Sequence, residues 1–151
     1  MDGSETKLIM TIIVRWITIT GNQTKEQRRV LPILKNLWVH LLKEFHIRRT
    51  IPLFLVDEKS WTLKTGLNMN SRSVAHYNTS IRFKSGYSSE AVLLRESVMY
   101  WKDADIAIPK LLRHELVHAK VKKQERGNEH SHKVFGKEAK KHKGVAKKGD
   151  Y

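Results

Sequence analysis

At 151 residues the chain is the length of one domain, and its 40% hydrophobic residues can build a core without repeats or cross-links. It contains no cysteine, which excludes a disulfide framework, a thiol nucleophile and a Cys-based zinc finger, so a metal site must be built from His, Asp or Glu. Lys and Arg (29) outnumber Asp and Glu (15), and the resulting net charge of +14 predicts attraction to a polyanion or anionic surface but specifies no chemistry.

The N-terminal MDGSETK carries Asp2 and Glu5 where a secretory signal would be basic. The apolar run over residues 8–14 is closed by Arg15, far short of the roughly 20 residues a bilayer span needs. The expectation is a cytoplasmic protein with no membrane contact. Residues 8–20, LIMTIIVRWITIT, are rich in β-branched and aromatic types and predict a strand ending at the Gly21-Asn22 turn. Thr24 and Gln27 have capping-box spacing, and Val30, Leu31, Leu34, Leu37, Trp38, Leu41, Leu42 and Phe45 recur at helical steps up to about residue 45. Pro32 implies either a later start or a kink. Residues 51–56, IPLFLV, predict a short buried strand, and residues 57–72 look turn-rich and polar. Residues 74–84 and 91–101 predict two antiparallel strands. Residues 105–124 predict a second long helix, with Asp105 as cap and Pro109 in its first turn, and residues 131–142 a third. The order β-α-β-β-β-α-α describes an α+β domain over residues 1–142, with helices packed on a small mixed sheet. A basic, flexible tail over residues 143–151 follows.

Arg113-His114-Glu115-Leu116-Val117-His118-Ala119 lies inside the second long helix. Residues four apart share a helix face, so His114 and His118 can each offer a ring nitrogen to one zinc at about 2.0–2.1 Å. Glu115 is rotated about 100° from His114 and about 60° from His118. Its carboxylate therefore flanks the metal without ligating it and can accept a proton from an activated water. Leu112, Leu116 and Ala119 point away and are expected to anchor the helix in the core. The competing reading is an exposed helix with two idle histidines. A catalytic zinc needs a third protein ligand, and the downstream candidates are His130, His132 and Glu138.

The run HELVHAKVKKQERGNEHSHKVFGKEAKK resembles the SprT-like zinc metalloproteases, a family that includes Spartan and is related to the WLM peptidases. His114, Glu115, His118 and Ala119 match the family's HExxHA, and Phe135-Gly136-Lys137-Glu138-Ala139-Lys140-Lys141 is similar to its aromatic-plus-basic last helix. The resemblance spans about residues 90–141. It implies a zincin-like core with the HExxH on its active-site helix, Zn2+ as cofactor and Glu115 as the catalytic residue. It also implies a metalloendopeptidase of DNA repair whose substrates are proteins bound or crosslinked to DNA. In the family the third His stands four before the aromatic, where this chain has Ser131 with His130 and His132 on either side. On a helix, His132 falls about 60° from Phe135 and His130 about 140° away. The expected metal set is therefore His114, His118 and His132, with His130 as the alternative.

Residues 120–151 hold eleven Lys/Arg against four acids, as large a net charge as the eighteen against eleven of residues 1–119. That asymmetry reads either as a solvated, frayed end or as a non-specific phosphate-binding arm through which the basic C-terminal region contacts DNA. The alternative function is a non-catalytic nucleic-acid-binding module whose metal site is structural or inert. His40 and His46 are expected at the surface and His76 and Tyr77 in the wall of a cleft. The four tryptophans are expected in the core or on sheet faces, and Tyr77 and Tyr100 are the tyrosines considered for an oxyanion.

Overall fold

Four short strands form a mixed sheet in the computed structural model, which describes residues 11–68, 70–82, 88–121 and 133–142. The strands are β1 (Val14–Ile17), β2 (Leu53–Val56), β3 (Ala75–Arg82) and β4 (Ser88–Arg95), in the spatial order β1-β2-β4-β3. β1, β2 and β4 run parallel, and β3 pairs antiparallel with β4 at the sheet's edge. Side chains alternate across the central strands. Leu53, Leu55, Val92 and Leu94 enter the larger core, whereas Phe54, Val56, Ala91 and Leu93 enter a smaller one on the opposite face. Cover on both faces explains why LFLV and AVLL are apolar throughout.

On the larger core pack α1 (Lys25–Glu44), α3 (Ala104–Val121) and α4 (Lys133–Ala139); α2 (Glu58–Thr65) covers the other face through Trp61. The α+β class with a small mixed sheet is thus as expected, as is the antiparallel β3–β4 pair. No helix among the described residues is long and apolar enough to cross a membrane.

Several boundaries differ from expectation. The first strand is four residues long rather than thirteen: Gly21 N donates to Thr18 O, turning the chain soon after Ile17, and residues 8–10 lie outside the described residues. α1 begins at Lys25, directly after the Thr24 cap, and runs through Pro32. The turn-rich segment contains α2, which Asp57 starts by accepting from Ser60 N at 2.9 Å and Gly66 stops in the left-handed conformation at φ 76°. β4 stops at Arg95 rather than near Trp101. The Arg95 guanidinium is buried on Glu58 (Nε to Oε1, 2.8 Å) and Ser71 O, Ser97 N donates to Glu58, and the chain continues as the 3₁₀ turn Glu96–Tyr100. α3 starts one residue early, with Asp103 O accepting from Ile106 N and Ala107 N at 2.9 Å each, so Asp105 sits in the first turn rather than at the cap. Pro109 is consequently the sixth helical residue and leaves the Asp105 carbonyl without its helical donor. α4 is shorter than expected at its C-terminal end; residues 122–132 and the basic tail over 143–151 lie outside the described residues.

Candidate metal centre

The middle of α3 buries ionisable groups where a helix ordinarily buries hydrocarbon. His114 is 0% exposed, Glu115 3% and His118 4%, while Leu112, Leu116 and Ala119 are buried in the larger core as the helix geometry predicts. The helix is therefore not exposed at these residues, as the competing reading had it. The two imidazoles converge, with Nε2 of His114 and Nε2 of His118 3.2 Å apart and the rings edge-on at 72°. Two nitrogens each about 2.0–2.1 Å from one tetrahedral ion lie roughly 3.3–3.4 Å apart. The pair thus has the spacing that a shared zinc requires.

Phe135 of α4 lies against both rings, with centroid separations of 5.0 Å to His114 and 4.5 Å to His118, and is itself 7% exposed. The aromatic twenty-one residues past His114 in sequence is therefore a neighbour of the pair in space. The expected third ligands, His132 and His130, lie outside the described residues. Glu138 is described and lies elsewhere: its Oε2 is 3.1 Å from His142 Nε2 and its Oε1 3.5 Å from Lys141 Nζ. Among the described residues no three His, Asp or Glu side chains group around a metal-sized space, so Glu138 does not complete the pair.

The helix carrying the pair is tied down on both flanks. Arg113 makes two hydrogen bonds to Glu44 at the end of α1 (3.0 and 3.2 Å), and these hold the Glu44 carboxyl below its ordinary pKa. After the pair, Arg49 donates to the Ala119 carbonyl at 3.0 Å and Lys120 Nζ to the Phe45 carbonyl at 2.7 Å. Arg49 also grips Glu90 of β4, which accepts from the Tyr77 hydroxyl of β3. The bond to Glu90 raises the Arg49 pKa, while burial and then Glu90 push the Tyr77 phenol upward. Tyr77 thus belongs to a network that fastens the end of α3 to the sheet. None of its members except Tyr77 carried a sequence signal, since Arg49 and Glu90 are forty-one residues apart and in no motif.

His142, three residues past the end of α4, continues this bracing. Its ring stacks on Phe45 at 3.8 Å and lies 3.9 Å from Glu44, beside a cavity of about 480 Å³ also lined by Arg113 and Glu138. His40 and His46 are exposed, as expected. His76 is half-buried, and desolvation lowers its pKa. Trp16, Trp38 and Trp61 are core residues, whereas Trp101 is 37% exposed. The exposed Tyr100 donates to Glu96. No family model matches the chain, and no curated protein or solved structure matches it.

Proposed function

We propose that the protein is a zinc-dependent metalloendopeptidase of the SprT-like kind, with His114 and His118 as two of its metal ligands and Glu115 as its general base. The observation that carries this reading is the 3.2 Å approach of two buried Nε2 atoms on consecutive turns of one helix, with a buried carboxylate next to the first. His132 is the preferred third ligand and His130 the alternative. Chain connectivity supports His132, which directly precedes Lys133 and stands three residues from the Phe135 that lies on the pair.

When bound, zinc would supply Lewis acidity toward the scissile carbonyl and lower the pKa of the attacking water. Glu115 supplies the other half, accepting the water's proton on a carboxylate held 3% exposed and returning a proton to the departing amine. Phe135 walls the pair on one side, and the Arg113–Glu44 and Arg49–Ala119 contacts keep the two His backbones in register. DNA-associated proteins are the proposed substrates, on the family resemblance and the +14 charge.

The test is Glu115→Gln, which keeps size and polarity but removes the proton acceptor. The expected result is one zinc per chain, as in the unmodified protein, with cleavage of an unfolded protein substrate reduced about 10²–10⁴-fold. Unchanged cleavage, or loss of the zinc together with the activity, would overturn the assignment of Glu115 as a base.

A further inference from the structure

We propose that the solvent face of α1 is a phosphate-contacting ridge on which nucleic acid lies. Outside residues 120–151 the excess of positive charge is concentrated in one place. Residues 25–49 hold seven Lys/Arg against two acids, whereas residues 1–119 together hold eighteen against eleven. On α1 the cations are exposed and share one side. At 100° per residue Lys25, Arg28, Arg29, Lys35 and Lys43 fall within an arc of about 120°, all five exposed, and the exposed imidazole of His40 borders it. The helix has two carboxylates. Glu26 lies just beyond the arc, 3.6 Å from Arg29 in a pair that is two-thirds exposed, and Glu44 is turned to Arg113. Among the described residues Lys25, Lys35 and Lys43 make no ion pair, so their charge is left to solvent.

The dimensions fit a nucleic-acid strand. Lys25 and Lys43 are separated by roughly 27 Å along the axis, and phosphates recur about every 3.4 Å along each strand of a duplex. An anionic membrane fits less well. A helix that settles on lipid inserts its apolar face, and here Leu34, Trp38, Leu41 and Leu42 are already buried in the core. What α1 leaves exposed is the basic arc, with Ile33 as the large apolar side chain beside it. The inference is independent of the metal reading, although the ridge's C-terminal end meets α3 through Glu44–Arg113, next to His114.

The experiment measures binding of the full chain to a fluorescent 20-base-pair duplex of arbitrary sequence by anisotropy over a range of salt concentrations. Four proteins are compared: the unmodified chain, Lys35→Gln with Lys43→Gln, Lys59→Gln with Lys102→Gln (exposed lysines away from α1), and a chain ending at His142. The ridge variant should bind several-fold more weakly and flatten the slope of log affinity against log salt by roughly 2, about 0.9 per lost phosphate contact. The control pair should leave both quantities unchanged. Equal effects of the two variants, or no duplex binding by the unmodified chain, would overturn the ridge. So would a ridge variant that loses affinity only for phosphatidylserine vesicles, or a chain ending at His142 that binds no duplex at all. Zinc content, measured alongside, should be the same in all of these proteins, which keeps failure of the ridge distinct from failure of the metal site.

Discussion

α1 and α3 are helices of similar length packed on the same face of the same sheet, yet they bury different chemistry. α1 puts Leu34, Trp38, Leu41 and Leu42 inside and keeps its cations in water; Gln27 is its one buried polar residue. α3 buries Ile108, Leu111, Leu112, Leu116 and Val117, and with them His114, Glu115 and His118. Side chains at i and i+4 share a face on both helices, so the difference lies in what that face meets. For α1 it is the sheet. For α3 the sheet takes the leucines, and the other side of the helix is closed by Phe135 of α4. A helix enclosed on two sides can bury a stripe of ionisable side chains that a helix enclosed on one side leaves in water.

The sharpest way to break this comparison is to remove the proposed metal ligands one at a time. His118→Ala and His132→Ala, made separately, should each lower bound zinc from one per chain toward none, read by native mass spectrometry. Removing one of three ligands leaves an ion held by two protein groups and water. His130→Ala should keep its zinc. If His132→Ala keeps full zinc and His130→Ala loses it, the third ligand is His130. Retention in both would place the third donor on a residue other than these two.

On α1 the corresponding change is Trp38→Ala, which should leave the metal pair in place and cost stability. Trp38 is 0% exposed, and its Nε1 donates to the Ile51 carbonyl at 2.8 Å. Truncation should destabilise by about 3–5 kcal/mol, the range for an aromatic removed from a core. It also strands the Ile51 acceptor. Urea unfolding followed by fluorescence or circular dichroism reads the loss. A loss below about 1 kcal/mol would show that the interior around α1 collapses to fill the space, and the contrast with α3 would weaken.

How much of this could be read from the residues alone depends on the length and amphipathicity of each element. α1 and α3 announce themselves because many apolar side chains repeat at helical spacing. α2 does not, because only Trp61 among its apolar residues is deeply buried, although Asp57 and Gly66 are its boundary residues in plain sequence. The His114–His118 pairing follows from spacing alone, since the helix fixes the geometry locally. The Arg49–Glu90–Tyr77 network follows from no local rule. It joins a loop to two strands, and only the register of β3 on β4 brings Tyr77 near Glu90. The position of Glu138 was illegible for a related reason: spacing along the chain left open which way α4 faces, and the structure sets this carboxylate beside His142.

The smallest expected effect tests whether the start of α1 is a local device or part of the core. Thr24 Oγ1 accepts from Gln27 N at 3.0 Å, and Gln27 Oε1 accepts from Thr24 N at 2.9 Å, closing the capping box. Gln27 does more than cap. Its side-chain nitrogen donates to Glu96 at 3.1 Å, and its carbonyl accepts from Trp16 Nε1 at 2.7 Å, joining the first turn of α1 to β1 and to the 3₁₀ turn before α3. Thr24→Ala removes only the cap oxygen and should cost about 1 kcal/mol, with Thr24→Ser recovering most of it. Zinc content should not change, because the cap lies at the end of α1 remote in sequence from Glu44 and Arg113. Gln27→Ala should cost more than Thr24→Ala, since it also strands the partner on Glu96. If the two substitutions cost the same in urea unfolding, the link from the Gln27 side chain to Glu96 contributes nothing to stability.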